Sequence, residues 1–468
     1  MKSANLGVIT LSMLNIAAVL SVVNYPAQAE YGYAILSVMA ISSIMFFIPC
    51  ALVSAEMAAA LPQNGGLYLW GKTAFNPGVG IVTVAMQWFN SLPWYGTVLT
   101  FIATSIAYMF DPALSNNAAF VYSIILIVIW SSTLVNCLGI SLYAKLSTIG
   151  VIIGTIIPTL IIIGGAISRF DKGYEPVIPY SAGALLPQLN NLSDWMLLAG
   201  MMVSLAGIDM TALHITDIKN PKRNYPLAIL ISSVVIVCAA VSGSLAIAMT
   251  VPPNQLSMAS GASEAFEYMC NALGMPWLLK PLCLMLALGA ITTIFTWLLG
   301  PSKGLLQVAE EGYLPPFLGH KNARNVPVNI LFIQATIISL ISLVVFFTPT
   351  ISNAFWVFMA LSAQIYMIMY ILMFSAAFAL RKKQPDLPRP YKIPGGIWGI
   401  GVVCGLGISA SGSAFLAGFI PPDNIRKLGI GYSLLYSGLL GLETAFFLSL
   451  PLLLLRHEKK IRQHENEK

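Results

Sequence analysis

Ser204-Leu205-Ala206-Gly207-Ile208-Asp209 lies in the middle of residues 193–217, an otherwise apolar stretch long enough to cross a bilayer. Gly207 weakens a helix at that point, and an aspartate beside it is costly at bilayer depth. A helix broken there needs protein or a water-filled cavity to satisfy its freed backbone groups. The first apolar run holds a second irregular stretch, Ala17-Ala18-Val19-Leu20-Ser21 followed by Asn24-Tyr25-Pro26. Pro26 removes one helical hydrogen bond and obstructs another. These two stretches set the reading of the chain, because interrupted spans in corresponding positions point to a binding site at the membrane midplane.

The composition around them is that of a membrane protein. Of 468 residues, 57% are hydrophobic and 9% are charged, and the mean hydropathy is +0.80. Globular chains carry roughly 25% charged residues, so a soluble enzyme is excluded, and the apolar content excludes disorder. A spanning helix needs about 20 mostly apolar residues. Apolar runs and turn signals give twelve spans, at 5–28, 34–60, 76–109, 118–138, 144–168, 193–217, 225–250, 277–307, 327–348, 352–380, 393–420 and 429–455. Spans one, six and eight read as the least regular. The expected fold is therefore an all-α polytopic membrane protein with twelve transmembrane helices.

Basic residues orient it. With a cytoplasmic N-terminus, Lys2, Lys72, Lys145, Lys219, Lys222, Arg223, Lys303, Lys321, Arg324, Arg381, Lys382, Lys383, Arg389, Lys392 and the basic residues from Arg456 onward face inside. Only Arg169, Lys172, Lys280, Arg426 and Lys427 face outside. That bias places both termini in the cytoplasm. It also accounts for the net charge of +6 without a nucleic-acid partner.

No catalytic or metal constellation is expected. Cys50, Cys137, Cys238, Cys283 and Cys404 fall within spans, Cys270 falls in a loop, and no C-x-x-C pair exists. His214 stands alone near the end of span six. The hydrolase, zinc-protease and P-loop signatures are missing, and no cofactor is implied.

Three acids read as embedded: Glu56, Asp209 and Glu443. Glu56 lies close to the end of span two, where capping is a sufficient role. Glu443 lies in span twelve. Asp209 alone sits beside a break, where it caps the second half-helix or carries a proton. Gln87, Asn90, Thr292, Thr293, Thr296, Gln364, Tyr366 and Tyr370 add neutral hydrogen-bonding groups in spans three, eight and ten. Tyr366 and Tyr370, four apart, share one helix face.

Several motifs resemble the amino acid–polyamine–organocation (APC) transporters. They are Ala55-Glu56-Met57 with Pro62-Gln63-Asn64-Gly65-Gly66-Leu67-Tyr68-Leu69-Trp70, then Asn220-Pro221-Lys222-Arg223-Asn224-Tyr225-Pro226, then Gly300-Pro301-Ser302-Lys303-Gly304 with Ala309-Glu310-Glu311-Gly312-Tyr313-Leu314-Pro315. Within that superfamily, Asn24-Tyr25-Pro26, Ile393-Pro394-Gly395-Gly396 and Pro421-Pro422-Asp423-Asn424-Ile425 are similar to the bacterial glutamate/GABA antiporters.

The resemblance implies a LeuT-type 5+5 inverted repeat plus two peripheral helices. Residues 1–392 form the ten-helix core, with repeats at 1–169 and 193–380. Residues 393–455 are the peripheral helices, and 456–468 a short basic tail. It further implies amino acid transport by alternating access across the bacterial inner membrane, as antiport of a neutral or acidic amino acid. Carried over by position, Ala18, Val19 and Ser21 line the first break, and Ser204, Gly207, Ile208 and Asp209 the second, with Asn24 and Thr293 as further candidate substrate-binding residues. Tyr366 and Tyr370 match tyrosines of the family's substrate path. The chain departs from the pattern at Thr293, where the antiporters have an acid four residues before a tryptophan, here Trp297. It departs again at Val23-Asn24, where they have a tyrosine-glutamate pair. A hydroxyl at Thr293 favours a neutral substrate.

Two competing readings remain open. One is a proton- or sodium-coupled symporter, with Asp209 carrying the proton or Thr292 and Thr293 joining span-one carbonyls around sodium. The other, from a different class, is a polytopic membrane enzyme or a non-transporting sensor. Homo-oligomerisation is left open.

Lys2, the apolar run and Ala27-Gln28-Ala29 imitate a cleavable secretory signal. The run from Leu6 to Val23 exceeds the usual signal core of about 7–15 residues, so the first helix is expected to be retained. N-terminal sequencing of the membrane-inserted protein checks this. A mature start at Glu30 would overturn it.

Overall fold

The computed structural model describes residues 6–63, 65–178, 182–187, 192–252, 256–257, 259–348, 350–421, 426 and 429–466. Asn64 and residues 422–425 of the motifs above lie outside the described residues, as does the side chain of His214.

The described chain is helical. The first expected span holds α1 (Val8–Val19) and α2 (Tyr25–Ala29), and the second holds α3 (Ile35–Ser42) and α4 (Ile48–Ala60). A short α5 (Leu67–Ala74) precedes α6 (Pro77–Phe110), which is followed by α7 (Ala118–Cys137), α8 (Ile140–Val151) and α9 (Ile157–Asp171). Then come α10 (Leu192–Ser204), a 3-10 segment at Met210–Asp217, and α11 (Pro221–Thr250). An amphipathic α12 (Gly261–Leu273) leads to α13 (Leu279–Glu310), α14 (Val328–Ile341), α15 (Ile351–Lys383), α16 (Gly396–Gly418) and α17 (Ile430–Asn466).

Ten helical stretches among the described residues are long and apolar enough to cross a membrane. The two expected spans missing from that set are the third and the sixth. The third, α6, is a continuous helix of 34 residues whose apolar character is diluted by Gln87, Asn90, Ser91 and several threonines. The sixth is divided after Ser204, which leaves two pieces shorter than a span.

The helices follow the expected regions, but their irregularities do not always. Span eight is one unbroken helix of 32 residues despite Pro301, contrary to expectation. Pro26 is not the breaker of span one. It sits in the first turn of α2, where its missing N–H costs nothing, and the chain is extended earlier, at Leu20 and Ser21. Wide π-turns at Ser43–Phe47 and Ile152–Ile156 were not foreseen. Each comes just before a proline, Pro49 or Pro158, which cannot donate to the carbonyl four residues back. Cys270 lies buried in α12 rather than in a loop. The basic tail continues α17 as helix to Asn466.

At the centre, α6 packs against both α13 and α15, while α1 packs against α8, α11 and α13. The span in α13 is the most buried of the ten, and residues Ser433–Pro451 of α17 are the least. At one end of the bundle Leu6 pairs with the close of the 3-10 segment. Its N–H donates to the Asp217 carbonyl at 3.0 Å, and the Lys219 N–H donates to the Leu6 carbonyl at 3.0 Å. Lys303 pairs with Asp217 at 2.8 Å at the same end. Lys72 and Tyr68 both bond to Glu311. Burial pushes the Glu311 carboxyl up, but those two hydrogen bonds and the Lys72 charge outweigh it and hold it below the ordinary carboxylate value. The contact therefore survives into acid and is lost only as pH falls through that lowered value.

Glu56 is not a simple cap. It is buried with Arg381 and Arg389, accepting from Arg381 Nε at 2.9 Å, lying 3.2 Å from Arg389 Nε, and accepting the Ile393 N–H at 2.8 Å. This cluster ties α4, the end of α15 and the segment leading into α16. Removing one member of a buried pair costs about 3–5 kcal/mol, whereas an exposed pair is worth about 0–1 kcal/mol. Glu56→Gln is therefore expected to lower the thermal midpoint far more than Glu310→Gln, which loses only the part-exposed pair with Lys321. Thermal unfolding in detergent checks this, and equal midpoints would refute it.

Candidate functional site

The two breaks meet. Gly207 adopts φ +114°, a conformation that side chains resist. A Cβ there would lie 3.2 Å from the Ala18 carbonyl oxygen and 3.1 Å from the Trp297 ring, so only glycine lets span six approach span one this closely. The tight turns at Leu205 and Ala206 end α10, and the chain resumes as a 3-10 helix after Asp209.

Other helices satisfy backbone groups at the breaks. Trp297 Nε1 on α13 donates to the Ala18 carbonyl at 3.1 Å. The Gly207 N–H donates to the Tyr370 hydroxyl oxygen at 2.7 Å, and that hydroxyl donates to Asp209 Oδ1 at 2.7 Å. The Tyr366 hydroxyl lies 3.1 Å from that of Tyr370. Gln87 Nε2 on α6 donates to Asp209 Oδ2 at 3.1 Å. The Asp209 side chain makes no capping bond to the following turn and accepts from Tyr370 and Gln87 instead. It is fully buried and held by two neutral groups.

Beside the breaks lies a cavity of about 210 Å³. Seven of the expected site residues line it: Ala18, Val19, Ser21, Asn24, Ser204, Thr293 and Tyr366. Gly207, Ile208, Asp209 and Tyr370 do not. Gly207, Asp209 and Tyr370 form the layer behind the wall, and Ile208 is packed in the core. The cavity runs out to Glu30 and Tyr31, beyond the end of α2. Gln28 latches the two interrupted spans to α11. It donates to Ser204 Oγ at 3.2 Å and accepts from Ser244 Oγ at 2.8 Å.

The sequence reading missed several wall residues. Trp94 stacks on Trp297 with ring centroids 4.4 Å apart, and Trp297 in turn meets Tyr366 edge-on at 5.8 Å. Trp297 enters the sequence reading as the landmark that marks Thr293, and its spacing of four from Thr293 puts both on one face. The Gln87 and Asn90 stripe on α6 continues at helical spacing through Trp94 and Thr97, which was the available signal. Ala414, Gly418 and Tyr436 reach the wall from helices expected to be peripheral. The hydroxyls of Thr292 and Thr293 donate to the Gly289 carbonyl of their own helix, at 2.7 and 3.4 Å.

A bundle of membrane-length helices with two facing interruptions beside a small cavity defines a solute transporter. The amino acid permease family matches residues 6–442, and the chain belongs to that family, which consists of membrane transporters rather than enzymes. It is 37% identical over 421 residues to an uncharacterised transporter of Legionella pneumophila, covering 90% of each chain. It is 30% identical to a glutamate/gamma-aminobutyrate antiporter of Lactococcus lactis, covering 88% of this chain and 83% of that one. A protein described as a probable agmatine/putrescine antiporter of Lactococcus lactis is 26% identical, with 75% and 74% covered. The resemblance to APC transporters is thus borne out, and the chain is a multi-pass membrane transporter.

Tyr370→Phe keeps the ring but removes the hydroxyl shared by Gly207 and Asp209. A buried group left unpaired costs about 1–3 kcal/mol. The variant is expected to melt well below the parent, while Tyr122→Phe, which loses a part-buried bond to the Ser339 carbonyl on α14, changes little. Equal midpoints for the two variants would refute the bracing role.

Proposed function

We propose that the chain exchanges amino acids across the bacterial inner membrane by alternating access, with both termini cytoplasmic. The observation that carries this reading is that residues of both breaks line one cavity, Ala18, Val19 and Ser21 of the first and Ser204 and Ala206 of the second. Broken helices offer N–H groups to a carboxylate and carbonyls to an ammonium, the two groups every amino acid shares. A volume of about 210 Å³ is below the ~300–1,000 Å³ of drug-sized pockets, which suits one small solute. Two relatives whose names describe them as antiporters support exchange. Bacterial relatives support the inner membrane as its location. Twelve spans in two inverted repeats, 1–169 and 193–380, with 393–455 outside them, remain the architecture we propose. The fully helical chain and the facing breaks support it. Thr293, and a lining whose charged residue is Glu30 at the far end beyond α2, favour an amino acid with a neutral side chain.

Asp209 favours a second reading, coupling to protons. A buried carboxylate is expensive when charged and unpaired, and among the described residues no salt bridge reaches it. Proteoliposomes loaded with mixed amino acids test both readings. Exchange is expected without any ion gradient, and Asp209→Asn should retain it at reduced rate. Uptake that needs a pH gradient and vanishes in Asp209→Asn would replace antiport by proton symport. Failure of all amino acids to exchange or accumulate would overturn both.

A further inference from the structure

Among the described residues the cavity wall carries one charged side chain, Glu30, at the end beyond α2. Its charge is not compensated. Among the described residues no salt bridge or hydrogen bond reaches its carboxylate. Glu30 reaches solvent, yet burial still pushes its carboxyl above the ordinary value, and no charge or hydrogen bond offsets that shift. It also follows the last residue of α2, at the carbonyl end of that short helix, where backbone dipoles favour a cation over an acid.

A charge acts on a solute without touching it. In a cavity with low-dielectric, neutral walls, a lone charge at the mouth sets the sign of the potential that an entering solute meets. Screening in free solution takes about 8 Å at physiological salt, and it is weaker between protein walls. A neutral amino acid has no net charge and can turn its ammonium toward Glu30. An acidic one brings a net negative charge past a carboxylate. A basic one is drawn to the mouth but must then place its extra charge inside a wall that holds no other counter-ion.

We propose that Glu30 is a charge filter at the outer mouth of the cavity, which turns back net-anionic amino acids arriving from outside and leaves the neutral ones as substrates. This inference rests on the exchange reading and on the cytoplasmic termini that belong to it. The filter is one-sided. An acidic amino acid arriving from the cytoplasm does not pass Glu30 before it reaches the breaks.

Right-side-out and inverted vesicles from cells making the full-length chain separate the two sides. The tracer is the amino acid that exchanges best in the proteoliposome screen. The competitors are lysine and the pair glutamine and glutamate, which are close in shape and differ by one charge. In right-side-out vesicles glutamate is expected to compete more weakly than glutamine. Glu30→Gln should narrow that gap by about three- to tenfold, with glutamine itself little changed. Glu30→Asp keeps the charge and should keep the gap. Glu30→Lys should reverse the preference, so that glutamate gains and lysine loses. Asp171→Asn removes an exposed acid at the end of α9 that is not part of the wall, and should change nothing. In inverted vesicles the gap should ignore position 30. A gap unmoved by Glu30→Gln and Glu30→Lys, or moved as far by Asp171→Asn, would overturn the filter and leave exchange standing. Equal shifts in both vesicle orientations would overturn it too, by placing the charge effect at the centre rather than the mouth. If no amino acid exchanges, thermal stabilisation in detergent reads the same competitors. A preference for glutamine over glutamate that follows position 30 would then uphold the filter while exchange falls, and no preference would overturn both.

Discussion

Everything at the centre of this protein depends on how two broken helices satisfy their backbone far from bulk water. A broken helix inside a bilayer survives only if other groups take up the freed N–H and C=O. Trp297 does this for Ala18 and Tyr370 for Gly207, each from a long continuous helix. The interrupted spans are thus braced by α13 and α15, which pack around α6. The same brace positions the chemistry. Trp297 and Tyr366 form the cavity wall, while Tyr370 passes the connection back to Asp209 and Gln87.

Charge is distributed accordingly. Ion pairs sit where chain segments must be held at the ends of helices: Glu56 with Arg381 and Arg389, Lys303 with Asp217, and Lys72 with Glu311. Around the breaks the hydrogen bonds join neutral groups, Asp209 excepted. A wall of neutral donors and acceptors costs less to desolvate than a wall of charges and still imposes geometry on what binds. It also suits a carrier that must release its solute, because charged contacts in a low-dielectric cavity are hard to give up.

Much of this was legible in the sequence, for identifiable reasons. Helix positions follow from long apolar runs, whose signal does not depend on tertiary context. The break in span six was marked by Gly207 and Asp209, and Gly207 is the residue that the close approach to Ala18 requires. The break in span one falls at Leu20 and Ser21, within the Ala17–Ser21 stretch that the sequence marks as irregular, whereas Pro26, with its plain helix-breaking chemistry, sits in a first helical turn where proline is tolerated. The bracing partners are 279 and 163 residues away in sequence from the groups they satisfy, so periodicity could show only that Trp297, Tyr366 and Tyr370 shared faces with other candidates. The ion cluster of Glu56 was hidden for the same reason: Arg381 is 325 residues away.

The arrangement bears on how a ligand can move such a protein. A ligand shifts a conformational equilibrium only by binding its states unequally. Here the cavity wall is shared between the interrupted spans, represented by Ala18 and Ser204, and the bracing helices, represented by Thr97, Trp297 and Gln364. On the exchange reading, a solute in this cavity touches both sets. Any relative movement of the two sets changes both halves of that contact at once. A solute that touched one set alone would bind the alternative arrangements more nearly alike. The groups that recognise the solute, then, also give it its leverage on the conformational change. Selectivity and turnover become two measures of the same set of contacts.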